Sequence, residues 1–433
     1  MSIFQGIIGI IVLTVIAFLC SKNRKKINWR TVGGALILQV LLALLILKVP
    51  YVALVFDKLA KGFVAVIGFT QAGTDFLFGS FNDSGKIHPA LVNFVFNVLP
   101  TIIFFSALTA FLYYVRILQL FVYVFAWVMK VTLRLSGAES LAAAGNVFLG
   151  QTESPLLVRP YLDEMTKSEM MCLMTGGMAT IAGGVLASYI TFLSGGDEVQ
   201  ELLFAKHLLA ASIMSAPAAI AAAKILVPET ESFDSQLKLS KERGASNVLE
   251  SIANGTSDGI RLAVNVGAML LVFTAFMAMG NWILGDLIGE IKISSTPTLN
   301  ELISTHTNYD KLSFQMILGY IGAPIALLIG VCPEDALLVG QLLGEKTILN
   351  EFFAYLTLGD MKANAVFVEE KSIIMATYVL CGFANFASIG IQIGGIGALA
   401  PTRKGLLSSL GVRALIGGTL ACLYTAAIVG MFY

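Results

Sequence analysis

Charge is what this 433-residue chain has least of. Asp, Glu, Lys and Arg make up 13% of it, about half of the roughly 25% usual in soluble domains. Hydrophobic residues make up 57%, and the mean hydropathy is +0.82. A soluble globular domain is excluded, and the composition is that of an all-α polytopic membrane protein. The 28 basic residues balance the 28 acidic ones, which removes any electrostatic case for a nucleic-acid partner. Cysteine is scarce too: Cys20, Cys172, Cys332, Cys381 and Cys422 show no CxxC spacing and lie mostly in apolar runs. They read as small core residues and argue against a disulfide framework or a metal cluster. His88, His207 and His306 are isolated, and no Ser/His/Asp or paired-carboxylate arrangement is legible, so no enzyme is expected.

What is there is a series of apolar runs. Met1 to Cys20 carries no charge, and the basic cluster Lys22, Arg24, Lys25, Lys26 and Arg30 follows it. A signal peptide has its positive charge in front, so this reads as a first span with the N-terminus outside and residues 22–30 in the cytoplasm of a plasma (inner) membrane. A second span is expected over 31–49, closed by Pro50, and an interfacial helix over 51–68. The polar turn Asn82-Asp83-Ser84-Gly85 leads to a third span over 90–115. Residues 117–135 are apolar, with Trp127, Lys130 and Arg134 at intervals, and either cross or lie tilted. Further spans are expected over 170–193, 203–227, 261–285, 312–331, 373–397 and 406–432, with a hydrophilic stretch over 229–258.

The organising stretch is Gly150-Gln151-Thr152-Glu153-Ser154-Pro155, an acid, an amide and a hydroxyl inside a segment of Leu, Ala, Val and Phe. A carboxylate at membrane depth costs about 2.5–3.5 kcal/mol on insertion scales, so it is retained where it lines a polar cavity or meets a partner. Residues 138–162 therefore read as a re-entrant hairpin of two half-helices. Residues 333–358 repeat the design with Glu345, Lys346, Asn350 and Glu351. Each hairpin precedes a span with a broken middle, Gly177 to Thr180 in the first half and Gly382 to Asn385 in the second. Transporters use paired interrupted segments to hold a substrate near the midplane. Inverted repeats put the two hairpins on opposite faces if one of 261–285 and 312–331 does not fully cross.

Two motifs are set aside. Gly340 to Thr347 looks like a phosphate loop but has the wrong glycine spacing, and Gly395 to Ala400 fits a loose dinucleotide fingerprint without any βαβ pattern around it.

The runs Asn146-Val147-Phe148-Leu149-Gly150-Gln151-Thr152-Glu153-Ser154-Pro155, Asn350-Glu351-Phe352-Phe353-Ala354-Tyr355 and Cys381-Gly382-Phe383-Ala384-Asn385-Phe386-Ala387-Ser388-Ile389 closely resemble signatures of the concentrative nucleoside transporter family. The likeness extends from the first span to the last. It implies a homotrimer in lipid, each subunit with about eight spans, two re-entrant hairpins, an inverted repeat, a scaffold and an elevator-type transport domain. On that plan residues 1–135 are mainly scaffold, 136–227 hold the first repeat and 228–260 a hydrophilic connection. Residues 261–332 return to the scaffold, and 333–433 hold the second repeat. The resemblance implies that Gln151, Thr152 and Glu153 meet the nucleobase and that Glu351, Asn385 and Ser388 hold the ribose. It places a coupling sodium ion on Asn146, Leu149, Thr180 and Ile181, with no organic cofactor. The expected function is sodium-coupled nucleoside import by alternating access, with a proton-coupled symporter of the same fold as the alternative.

Overall fold

The computed structural model of the chain describes residues 2–82, 99–233, 245–292, 297–307 and 309–433, and among these every regular element is a helix. Asp83, Ser84, Gly85, His88, the first part of the span expected over 90–115 and residues 234–244 of the hydrophilic stretch lie outside the described residues.

The N-terminal helices are α1 (Ser2–Leu19), α2 (Trp29–Lys48), α3 (Pro50–Asn82), α4 (Leu99–Tyr114) and α5 (Ile117–Leu133). Asn28 caps α2 by accepting from the Arg30 and Thr31 backbone N–H groups. Pro50 closes that span and also opens α3 at its first position, where a missing N–H costs nothing. Helix α3 runs for 33 residues, well beyond the 51–68 expected of an interfacial segment. The axes of α4 and α5 differ by 75°, and Arg116 at the bend has φ 64°. Helix α5 thus turns away from the path of α4.

The first repeat is α6 (Gly137–Phe148), the short α7 (Ser154–Leu157), α8 (Lys167–Ala179), α9 (Gly183–Ser194) and α10 (Glu198–Leu226). After α11 (Val248–Asn281), its wider terminal turn Trp282–Ile288, α12 (Leu299–His306) and α13 (Phe314–Ile329) comes the second repeat. It consists of α14 (Ala336–Ile348), α15 (Glu351–Ala363), α16 (Glu370–Leu380), α17 (Phe386–Leu399) and α18 (Lys404–Gly430). Both halves therefore run hairpin, broken span, long helix. One expectation needs correction: the return arm of the first hairpin is not a half-helix. Pro155 starts it and Pro160 interrupts it, leaving four α-helical residues and the 3₁₀ turn Arg159–Tyr161.

Among the described residues, five helical segments are long and apolar enough to cross a membrane: α2, α8 with α9, α10, α11 with its terminal turn, and the stretch Pro401–Gly430. Counting α4 and α5 as one makes six, while most of α1 and the whole of α13 and α17 are apolar but shorter. Helix α13 has 16 residues, about 24 Å at the usual rise, less than the roughly 30 Å of hydrocarbon core. Of the two segments left open by the parity argument, α13 is therefore the one too short to cross upright. It lies backbone to backbone on α14, since a Cβ on Gly322 would come within 2.4 Å of the Gly340 carbonyl oxygen. That contact accounts for the glycine in the discarded phosphate-loop pattern.

The two long repeat helices form the centre. The apolar stretch of α10 is 89% buried and that of α18 is 78% buried, against 22% for α11. Buried charge fixes the base of the first hairpin to this centre. Lys224 of α10 pairs with Glu139 of α6, donates to Ser168 Oγ of α8 at 3.0 Å, and lies 3.7 Å from Glu229. Ser136 with Glu139 and Thr166 with Glu169 form capping boxes at the starts of α6 and α8. The second hairpin is held at its base by Asp335, whose carboxylate accepts from the Val368 and Glu369 backbone N–H groups at 2.8 and 3.0 Å.

Removing one member of a buried pair leaves the other charge uncompensated, at about 3–5 kcal/mol. Lys224→Met is expected to lower stability by that order, while Lys224→Met combined with Glu139→Leu loses less than the sum of the single changes. Thermal unfolding in detergent checks both, and additive losses would show that the pair is not the lock.

Candidate functional site

The two hairpin tips and the two helix breaks meet in the interior. In the first repeat α6 ends at Phe148, and residues 149–153 cross to α7, where Ser154 Oγ donates back to the Ala142 carbonyl of the outgoing arm at 3.3 Å. In the second, Asn350 caps α15 by accepting from the Phe353 N–H at 2.9 Å, a bond type that contributes about 1 kcal/mol. Glu351 is then the first residue of α15, with its carboxylate aimed at the second break.

Asn385 ties that break to the tip. It caps α17 by accepting from the Ser388 N–H at 2.8 Å, and its Nδ2 donates to Glu351 Oε2 at 2.7 Å. Glu351 Oε1 accepts from the Tyr189 hydroxyl at 3.2 Å. Across the site Gln151 Nε2 donates to Ser388 Oγ at 3.1 Å, and Gln392 Nε2 donates both to Gln151 Oε1 at 3.2 Å and to the Met174 carbonyl at 3.0 Å. These bonds cross from one repeat to the other.

Between the tips lies a cavity of about 350 Å³, a size that suits a small organic molecule. Gln151, Thr152, Glu153, Glu351, Asn385 and Ser388 all line it, so every residue expected to meet a nucleobase or a ribose faces one space. Sequence reasoning missed the far wall, which α11 supplies through Leu262, Asn265, Val266 and Met269. It also missed Tyr189 and Gln392. The latter was findable as a lone amide in an apolar run, whereas nothing distinguishes Tyr189 from a core aromatic.

Asn146, Leu149, Thr180 and Ile181 are buried and do not line that cavity. They lie at the ends of α6 and α8. Asn146 Nδ2 donates to the Leu173 carbonyl at 3.4 Å, whereas its Oδ1 is buried with no hydrogen-bond partner among the described residues. Thr180 Oγ1 donates to the Gly176 carbonyl at 2.9 Å, so its lone pairs stay free to accept or coordinate. The sequence paired Gly177 to Thr180 with Gly382 to Asn385. The structure gives the two runs opposite tasks, because Thr180 closes α8 at its C-terminus and Asn385 opens α17 at its N-terminus. Asn suits the second task because its short side chain accepts from the first free N–H groups of a helix.

Two inward hairpins, two broken spans and, between them, one largely apolar cavity with polar side chains set into its wall define a membrane carrier of the inverted-repeat class. Residues 207–430 match the family described as "Na+ dependent nucleoside transporter C-terminus", residues 8–81 match its N-terminus, and residues 95–195 match "Nucleoside recognition". An uncharacterized transporter of Haemophilus influenzae is 42% identical over 100% of this chain and 98% of its own length. Sodium/nucleoside cotransporter 1 of Rattus norvegicus is 38% identical over 98% of this chain, which spans 63% of that longer relative. Among solved structures, CNTnw in an inward-facing substrate-bound state superposes with a TM-score of 0.85 at 37% identity, covering 100% of this chain and 99% of the other. Outward-facing and intermediate forms of CNTnw match with TM-scores of 0.84 to 0.86. The chain belongs to the Na+ dependent nucleoside transporter family, whose members are multi-pass membrane transporters.

The two breaks touch at Gly382, where φ is 136° and an added Cβ would lie 2.7 Å from the Ala179 carbonyl oxygen. A side chain at such a φ costs about 1–3 kcal/mol from the backbone alone. Gly382→Ala is expected to lose at least that much stability and most ligand binding. Gly390→Ala on α17, where a Cβ meets nothing within 4 Å, is expected to change stability by less than about 1 kcal/mol. Parallel unfolding and binding curves check the contrast.

Proposed function

We propose that the protein is a sodium-coupled symporter that imports nucleosides across the plasma membrane by alternating access. The observation that carries this reading is the cavity with both hairpin tips in its wall. A nucleoside is neutral and polar at both ends, so its lost hydration must be replaced by matched groups. Gln151 offers amide donors and acceptor to a base edge, and Thr152 and Glu153 stand beside it. From the second hairpin Glu351 accepts from ribose hydroxyls, held in place by Asn385 and Tyr189, while Ser388, bonded to Gln151, adds a hydroxyl.

Sodium is a second cargo. A hard cation takes oxygen ligands, and the buried unpartnered Asn146 Oδ1 beside the free lone pairs of Thr180 and the backbone at Leu149 and Ile181 fits that demand. The tip then links the cargoes: Asn146 and Leu149 lie on its incoming side, and Gln151 to Glu153 directly follow. An ion that orders the first part of the tip favours substrate binding at the second, and by linkage the substrate favours the ion to the same extent.

The transport unit in this reading comprises residues 136–227 and 333–433, moving against a scaffold of residues 1–135 and 261–332, with 228–260 connecting them. The cavity lies between the hairpin tips and α11, which supports a substrate position at the boundary between the moving and fixed parts of this reading. The matches to inward-facing, intermediate and outward-facing forms of one related protein support alternating access. Assembly as a homotrimer, with each carrier moving by itself, completes the proposal.

Hydrogen bonds to charged groups contribute about 1.5–3 kcal/mol, so Glu351→Gln is expected to weaken riboside binding by about ten- to a hundredfold while leaving weak binding of free bases unchanged. Gln151→Ala is expected to shift preference among bases. A thermal-shift panel of nucleosides, bases and nucleotides, with sodium or with choline, measures this because a ligand of the native state raises its stability. Nucleoside protection that needs sodium supports the reading. Protection by nucleosides regardless of sodium, or unchanged uridine affinity in both variants, would contradict it.

A further inference from the structure

One buried cation, Lys346, lines neither the cavity between the hairpin tips nor the proposed ion site. Lys346, on the incoming arm of the second hairpin, has 0% exposure and no salt bridge among the described residues. Its Nζ donates to the Val379 carbonyl at 2.9 Å and to Cys422 Sγ at 3.2 Å, and Cys422 Sγ donates on to the Cys381 carbonyl at 2.8 Å. A desolvated ammonium is costly unless its surroundings carry compensating negative charge. Part of the compensation is the C-terminal end of α16, where carbonyls of the last turn lack helical partners and the helix dipole is negative, and the Glu351 carboxylate of the same hairpin adds an opposite charge that acts on Lys346 through space.

The repeat shows which place this is. Lys346 lies two residues before α14 ends at Ile348, and Asn146 lies two residues before α6 ends at Phe148. Each side chain reaches the last turns of the half-helix that follows its own hairpin. Asn146 abuts α8 so closely that a Cβ on Gly176 would come within 2.5 Å of Asn146 Nδ2, and Lys346 donates to Val379 of α16. The first repeat therefore sets an unpartnered oxygen, Asn146 Oδ1, beside a helix C-terminus, an arrangement short of a positive charge. In the second repeat the corresponding side chain is itself the positive charge.

We infer that Lys346 is a tethered cation that fills, in the second repeat, the place the coupling ion fills in the first, so that a subunit takes up a single free cation with each nucleoside. The inference rests on the proposed ion site at Asn146. It makes Lys346 a residue that sets ion stoichiometry, which is more than a brace for the hairpin.

The test uses the full-length protein in proteoliposomes. Reversal potentials give the charge moved per uridine, and uridine binding titrated with sodium gives the steepness of the ion dependence. Wild type and Lys346→Arg are expected to move about one charge per uridine with a sodium Hill slope near one; Lys346→Gln, which replaces the ammonium with an acceptor, is expected to raise both toward about two. A folded Lys346→Gln protein with wild-type ratio and slope would overturn the inference, since a mere brace alters stability without altering either number. Should that variant fail to fold, Lys346→Asn, which sets the first repeat's residue at this place, is read the same way: a rise of both numbers toward about two supports the inference and no change overturns it, as does a wild-type ratio of about two with sodium dependence intact, which leaves the Asn146 site standing. Wild-type binding that ignores sodium would instead remove the Asn146 site, and the role of Lys346 with it.

Discussion

Backbone and side-chain polar groups freed inside an apolar protein have to find partners there, and the rest of the structure is arranged around that demand at two helix breaks. The second break ends one half-helix at Leu380 and begins another at Phe386. Asn385 spans the gap, capping the new helix with its oxygen and holding Glu351 with its nitrogen. Gln151 from the first hairpin and Gln392 from α17 do the corresponding work between the repeats, the one bonding to Ser388 and the other to Met174. With these bonds in place, polar groups that would otherwise destabilise the core form a lining that competes with water for a polar solute.

The remaining elements keep that lining in register. Lys224 with Glu139 and Asp335 with the 368–369 backbone fix the base of each hairpin, far along the chain from its tip. Contact of Gly382 with Ala179 brings the two breaks together, so the repeats share one centre. Helices α10 and α18 pack at the middle, and α11 closes the cavity from a largely unburied position. The cavity is thereby enclosed between the two repeats and α11.

Much of the site was legible because polarity in an apolar run is conspicuous. Gln151, Glu153, Glu351 and Asn385 interrupt long stretches of Leu, Ala and Phe, and the structure puts all four around one cavity. The same signal was present at Gln392, where glycines on either side disguised it as a packing segment. Tyr189 could not be singled out, since a tyrosine in an apolar helix declares nothing until its hydroxyl meets a carboxylate. The wall from α11 is apolar apart from Asn265, and walls of that kind follow only from tertiary packing. Backbone geometry was least legible. The bend between α4 and α5 turns on a left-handed Arg116, a conformation that its residue type does not announce. The incomplete return arm of the first hairpin was written in Pro155 and Pro160, yet a polar centre with apolar flanks suggested a half-helix on either side.

Uridine accumulation in proteoliposomes at equal internal and external pH tests the account most directly, because it joins the cavity, the ion site and their coupling in one readout. With sodium outside and choline inside, the account expects uridine to build up above its external concentration, and to equilibrate without accumulating when sodium is equal on both sides. Accumulation driven by a proton gradient in the absence of sodium, or none under any cation gradient, would contradict it.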